Sequence, residues 1–93
     1  MIDIFEPRNE PARSIYRAFQ AEAKKRNGRT ADEFITAERE AVINEAASQA
    51  QKLGLRAPTL DEVIRAENSA CGHCDYGAKW AMRVAEVMTA TRS

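Results

Sequence analysis

Two cysteines and the chain's one histidine lie within four residues, in the segment Cys71-Gly72-His73-Cys74. Thiols three positions apart can exchange with a disulfide, and the sulfurs of Cys71 and Cys74 with a nitrogen of His73 can bind zinc. Zinc requires a fourth ligand, for which Asp75, Glu67 or a group of another chain is available. Because the sequence has no second Cys/His pair, it favours a third interpretation, a tight turn whose two reduced thiols are partly buried as small apolar groups.

As a string, Cys71-Gly72-His73-Cys74 resembles the redox motif of protein disulfide isomerases. That resemblance implies exchange through a reactive thiolate and a resolving thiol. In that family a strand precedes the motif and a helix begins at its first cysteine. Here a short helix is predicted before the motif and the next helix begins after Cys74. Thiol redox chemistry and zinc binding therefore remain alternatives to the simple turn.

The other residue types that support catalysis are not arranged for it. A histidine-centred mechanism would depend on His73, whose neighbouring cysteines are too close in sequence to act as its nucleophile in a defined pocket. The four glycines are scattered and form no phosphate-binding loop, and Glu38 and Glu45 are predicted on a helix surface. We therefore expect a protein without enzymatic activity and without a cofactor.

The composition predicts one small helical domain over residues 1–93. The 14 Lys+Arg balance 14 Asp+Glu, so the formal net charge is zero. Hydrophobic residues make up 44% of the chain, but 17 residues are alanine and only three are leucine, so we expect a thin core that a second copy or a partner would complete.

Apolar runs are too short for a membrane span or a secretory signal, and two cysteines so close together make no disulfide framework. We therefore expect a cytoplasmic protein that does not bind a membrane.

Capping signals place the helix boundaries. Thr30 and Thr59 are each followed by a glutamate three positions later, a capping box in which the two residues satisfy each other's backbone N–H groups. Gly54 is a predicted left-handed stop, and Asp75 is a good N-cap. The chain is therefore divided into separate helices by short polar connections.

The fold class that follows is all-α, a small bundle of about four helices preceded by an irregular N-terminal arm. The predicted helices cover about 11–26, 30–53, 59–70 and 75–91. The first is expected to carry Lys24-Lys25-Arg26 in its last turn, before a stop at Asn27-Gly28. Apolar residues at helical spacing are expected on the buried faces of the other three: Phe34, Ile35, Val42, Ile43, Ala46, Ala50 and Leu53; Leu60, Val63 and Ile64; Trp80, Ala81, Val84, Ala85, Val87 and Met88.

The spacing over residues 50–63 resembles the helix-turn-helix of bacterial and phage repressors. The positions that carry the resemblance are Ala50, Gly54, Leu55, Leu60 and Val63. It implies a DNA-binding regulator that reads bases with its second helix, for which Thr59, Arg56 and Arg65 are the candidate residues. Residues 30–67 hold four basic and eight acidic groups, a net charge of −4, which opposes contact with a polyanion. Nucleic acid is therefore the less favoured partner.

The favoured function is the binding of another protein. Arg13, Arg17 and Lys24 lie near one face of the first helix, and Tyr76 and Trp80 are four positions apart on the fourth. Arginine, tyrosine and tryptophan are typical of interface hot spots, so these five residues are the candidate contact residues. Two alternatives stay open: the aromatic residues form the core, and the basic residues pair with acidic groups of the second helix at the solvated surface. A homodimer is a further candidate assembly.

Two longer segments, residues 14–26 and 72–81, resemble parts of small accessory proteins encoded by phages and prophages. The resemblance implies a short bacterial or viral cytoplasmic protein that acts by binding host or viral macromolecules, for example as an inhibitor of a host complex. It carries no catalytic residue over to this chain.

Overall fold

The computed structural model describes residues 6–90. Over that range the chain forms four α-helices and no strand, which confirms the predicted all-α bundle. The helices are α1 (Ala12–Ala23), α2 (Ala31–Leu53), α3 (Leu60–Ala70) and α4 (Tyr76–Ala90). α1 packs against α2 and α4, and α3 packs mainly against α4. Residues 1–5 of the predicted arm, and the predicted extension of the last helix to residue 91, lie outside the described residues.

The predicted caps of α2 and α3 are confirmed. The Thr30 hydroxyl accepts from the Glu33 backbone N–H while the Glu33 carboxylate accepts from the Thr30 N–H, and Thr59 and Glu62 make the same reciprocal pair. α2 ends at Gly54, whose φ of 69° lies in the left-handed region where glycine has no steric cost.

The predicted end of α1 is wrong by one turn. The helix stops at Ala23, so Lys24, Lys25 and Arg26 follow it instead of occupying its last turn. Arg26 leaves the helical path and its Nε–H donates to the carboxylate of Glu38 in α2 at 2.9 Å. The attraction of a buried carboxylate outweighs the weaker preference of basic residues for a helix C-terminus.

The core is formed by small residues and one aromatic cluster. Phe19 of α1 contacts Tyr76 and Trp80 of α4, with ring centroids 5.8 and 5.5 Å away. Tyr16 stacks on Phe19 within α1, and Tyr76 stacks on Trp80 within α4. The remaining buried apolar side chains come from all four helices, and the larger ones are Ile15, Val42, Val63, Val84 and Met88. The alanines between them let the helix axes approach closely.

Two leucines that the sequence places on buried faces are exposed. Leu53 is 44% exposed and Leu60 is 52% exposed. α2 is about 34 Å long and α1 about 18 Å, so α1 cannot cover both ends of α2, and Leu53 lies in its last turn. Glu38 and Gln49 are buried on α2 instead, at positions the hydrophobic pattern does not select.

The described part of the N-terminal arm is irregular, as predicted, and is fixed to α1. Pro7 is buried, and the guanidinium of Arg13 donates to the backbone carbonyls of Pro7 and Arg8. Arg17 donates to Glu6 at 2.9 Å, while Ser14 donates to Glu10. Within residues 6–90 no helix has the length and apolar character needed to cross a membrane.

Candidate functional site

The Cys71-Gly72-His73-Cys74 segment forms a tight turn between α3 and α4. Cys71 has φ −59° and ψ 135°, Gly72 has φ 90°, and the His73 backbone N–H donates to the Ala70 carbonyl at 3.2 Å. These are the features of a type II turn, which requires glycine at its third residue. Both thiols are free and exposed, so the expectation of partial burial is wrong. No three His, Cys, Asp or Glu side chains within residues 6–90 are grouped to hold a metal ion, so the structure does not bring the candidate ligands Cys71, His73 and Cys74 together with a fourth.

The two aromatic candidates for partner contact lie in or near the core. Trp80 is 1% exposed and its indole N–H donates to the Val63 carbonyl at 3.0 Å, so it is not available to a partner in this conformation. Tyr76 is half-buried between Phe19 and Trp80. Burial, together with the nearby carboxylates of Glu67 and Glu38, raises the pKa of the Tyr76 phenol well above its ordinary value. Trp80 is therefore a core residue, which is the alternative to the partner-contact role predicted for it.

The three basic candidates of the first helix do not form one free face. Arg13 and Arg17 hold the arm through the contacts given above, and Lys24 is exposed where α1 ends. The Glu6 carboxylate raises the pKa of Arg17 through a hydrogen bond and its charge. The cross-helix pairing considered for these residues is made by Arg26 instead.

Two ion pairs tie α2 to its neighbours. Arg26 pairs with Glu38, which is 2% exposed, and the same guanidinium lies 4.6 Å from the ring centroid of Phe34. Arg39 of α2 pairs with Glu67 of α3 at 2.6 Å. Each carboxylate raises the pKa of its arginine, chiefly through the hydrogen bond.

Two of the three candidate DNA-reading residues are engaged in contacts within the chain. Arg56 donates to the Glu62 carboxylate at 2.6 Å, and Thr59 is occupied by the cap of α3, while Arg65 is exposed. Leu60, a packing position in the helix-turn-helix pattern, is exposed. α3 also packs mainly on α4 and only lightly on α2. The geometry does not favour the helix-turn-helix interpretation.

One open apolar surface is a groove between α2 and α3, called the α2–α3 groove below. Its apolar lining is Ile43 of α2 with Leu60 and Ile64 of α3. Leu60 and Ile64 are four positions apart and therefore lie on the same side of α3, whereas Val63 points into the core. The groove has a volume of about 200 Å³.

The border of the groove is acidic. Asp32, Thr36 and Glu40 follow one another at four-residue spacing along α2, and Thr36 and Glu40 line the groove itself. Asp32, Glu40 and the neighbouring Glu33 are exposed. The nearby arginines are already paired, Arg29 with Glu22 and Arg39 with Glu67, so the uncompensated charge at this end of the groove is negative. We call Asp32, Glu33 and Glu40 the acidic border.

The hydrophobic pattern includes Leu60 and Ile64, but it predicts them on the buried face of α3, whereas both line the open groove. The hydrophobic pattern predicts one shared buried face for Leu60, Val63 and Ile64. α3 packs mainly on α4 and only lightly on α2, so Val63 is fully buried while Leu60 and Ile64 line the open groove on the α2 side. No local signal separates these positions, because the three span about 100° of the helix, the width of an ordinary core-facing stripe.

The groove is shaped to hold side chains and offers no reactive group. A volume of about 200 Å³ is below the ~300 Å³ at which small-molecule pockets begin. That volume instead suits one or two aliphatic side chains of a partner. Full burial of each such side chain contributes about 1.5–3 kcal/mol of free energy.

No protein-family model, curated protein or solved structure matches this chain.

Proposed function

We propose that this chain is a non-enzymatic accessory protein that binds a partner protein, and that the α2–α3 groove receives an amphipathic helix of that partner with basic residues beside its apolar stripe. The observation that supports the proposal is the exposure of Leu60, at 52%, beside Ile43 and Ile64. An apolar groove between two helices is a common seat for the apolar face of a third.

The charge of the partner follows from the acidic border. Asp32, Glu33 and Glu40 lie exposed along α2, in line with the groove. Lysine or arginine side chains that flank an apolar stripe would lie against these carboxylates. An acidic helix would meet like charge there, which lowers affinity and slows association.

The proposal places the contact residues elsewhere than the sequence does. Trp80 belongs to the core, and Arg13 and Arg17 hold the arm. The cytoplasmic setting remains part of the proposal and rests on the short apolar runs and the two closely spaced cysteines. The phage-derived setting and the inhibition of a host or viral complex also remain part of it and rest on the resemblance of residues 14–26 and 72–81. A homodimer is the competing occupant of the groove.

Site-specific photo-crosslinking in cells tests the proposal. A benzophenone amino acid replaces Leu60 in the groove, and in a matched control it replaces Leu53, which is also an exposed leucine but does not line the groove. We expect a discrete adduct with a second protein from position 60 and none from position 53. Mass spectrometry should locate the crosslink in a helical segment with lysine or arginine beside an apolar stripe.

Three outcomes contradict the proposal. Equal adducts from both positions would indicate nonspecific contact between exposed apolar residues. An adduct of the chain with itself would identify the groove as a self-association surface. Absence of any adduct from position 60, in cells where the protein is folded and expressed, would remove the groove as a binding site.

A further inference from the structure

We propose that Cys71 and Cys74 form a redox-active dithiol that reacts with disulfides of the type R–S–S–R and closes to a reversible intramolecular disulfide. This inference is independent of the α2–α3 groove and rests on the turn between α3 and α4.

The turn presents both thiols to solvent while its ends are fixed. Cys71 and Cys74 are free and exposed, and they stand on either side of Gly72 and His73 in a chain reversal. Ala70, which immediately precedes the cysteines, is buried, and so is Ala78 in the first turn of α4. The fold therefore holds the two cysteines on one short reversal, and closing a bond between them requires little further loss of chain entropy.

The two thiols have different surroundings. Cys74 lies two residues before the first residue of α4. It also lines a cavity of about 310 Å³ whose other members include Phe19, Arg26 and Tyr76. Cys71 ends α3, with its backbone N–H bonded to the Glu67 carbonyl, and does not line that cavity. We therefore assign Cys74 as the attacking thiol, with room beside it for the group R, and Cys71 as the resolving thiol.

The reaction balances with the disulfide as oxidant. The Cys74 thiolate attacks one sulfur of R–S–S–R, the S–S bond breaks, and one thiolate RS⁻ leaves, giving the mixed disulfide Cys74–S–S–R. Cys71 then loses its proton to solvent and attacks the Cys74 sulfur, and the second RS⁻ leaves. In total the dithiol is oxidised by two electrons and loses two protons, while the disulfide is reduced to two molecules of RSH.

Metal binding is the other chemistry open to these side chains, and the structure favours it less. A structural zinc needs four ligands, and the described part of the chain holds no cluster of even three candidate donors. Two thiols suffice for the exchange reaction.

The experiment uses glutathione disulfide as the probe on the full, reduced chain, with intact-mass spectrometry after acid quenching. The wild type is expected to lose about two mass units, for the two hydrogens removed, and to retain no glutathione. Cys71→Ser should stop at one stable glutathione adduct on Cys74. Cys74→Ser should form its adduct on Cys71 more slowly, by about threefold or more, since Cys71 has no cavity beside it to hold the glutathione group. Both cysteines are exposed, and circular dichroism should show that both variants are folded.

Three results would overturn the proposal: wild-type protein that carries two glutathiones without an internal bond, wild-type protein that forms only disulfide-linked dimers, or equal adduct rates for the two serine variants. A second measurement shows whether the folded turn promotes the internal disulfide, or whether the short sequence separation of the two cysteines is sufficient. In glutathione redox buffers the folded chain should close at a lower ratio of oxidised to reduced glutathione than the chain unfolded in urea, by about tenfold. Equal ratios would show that the turn contributes nothing, and would also contradict the proposal.

Discussion

Gly77 of α4 lies directly against the aromatic ring of Phe19 of α1. A β-carbon at Gly77 would overlap that ring and come within 3.2 Å of Tyr16. The close approach of the two helices at this end of the core therefore depends on the missing side chain. Glycine is needed here for space and not for an unusual backbone angle, because Gly77, unlike Gly28, Gly54 and Gly72, does not have a positive φ.

The first prediction concerns this contact. Gly77→Ala should destabilise the fold by about 1–2 kcal/mol, because overpacking costs about 1–3 kcal/mol and the gain in helix propensity returns at most about 1 kcal/mol. Urea unfolding followed by circular dichroism measures the change. Phe19→Leu in the same chain should recover part of the loss, so that the two substitutions are less than additive. A stabilised Gly77→Ala variant would show that the contact is not tight.

The second prediction concerns the pair Arg26–Glu38, in which one partner is buried and the other half-exposed. Arg26→Met leaves the Glu38 carboxylate buried without its partner and should cost about 2–3 kcal/mol, below the 3–5 kcal/mol of fully buried pairs. Glu38→Leu should cost less than about 1 kcal/mol, because Arg26 can turn to water and an apolar side chain replaces the carboxylate.

Chemical denaturation of these two variants and of the double variant Arg26→Met/Glu38→Leu measures this asymmetry. The double variant should be close to Glu38→Leu in stability. If Glu38→Leu were the more damaging single substitution, the carboxylate would have a role that the pair does not explain.

The third prediction concerns acid stability. A hydrogen bond from Arg56, with a second from the Thr59 backbone N–H, lowers the pKa of Glu62 to about 2 from its ordinary value of 4.5. A carboxylate with a lowered folded-state pKa stabilises the fold fully above its unfolded pKa. The contribution is lost as the pH falls from about 4.5 toward about 2.

The free energy of unfolding of the wild type and of Glu62→Gln, measured from pH 7 to pH 2, tests this. The wild type should be the more stable at pH 7, and the difference should shrink between pH 4.5 and pH 2. Glu86→Gln is the matched control, because Glu86 makes an exposed pair with Arg83 on α4 and surface pairs contribute little. A difference between wild type and Glu62→Gln that does not vary with pH would contradict the assignment.

The helix boundaries could be predicted from sequence where a local signal sets them. Thr30 and Thr59 form their capping boxes with residues three positions away, and Gly54 ends α2 by its own backbone freedom. These interactions need no knowledge of the rest of the fold. The end of α1 depends instead on Arg26 reaching a carboxylate in another helix, which no local pattern reports.

The faces of the helices were harder to predict for a related reason. Burial depends on which neighbour a face meets, so Leu60 and Val63 have the same hydrophobic signal but opposite environments. Glu38 is buried because Arg26 compensates its charge. From its residue type alone, a glutamate is predicted to lie at the surface. The candidate groove could therefore be located only after the packing of α3 on α4 was known.

The measurement that tests the binding proposal most directly is an NMR titration of the isotope-labelled chain with two short model helices of equal apolar content, one of leucine and lysine and one of leucine and glutamate. The leucine/lysine helix should shift the signals of Ile43, Leu60 and Ile64, and the leucine/glutamate helix should bind more weakly. Leu60→Asp should reduce the affinity for the leucine/lysine helix about tenfold or more, and Leu53→Asp should leave it unchanged. Shifts that avoid the groove, or equal binding of the two helices, would contradict the proposal.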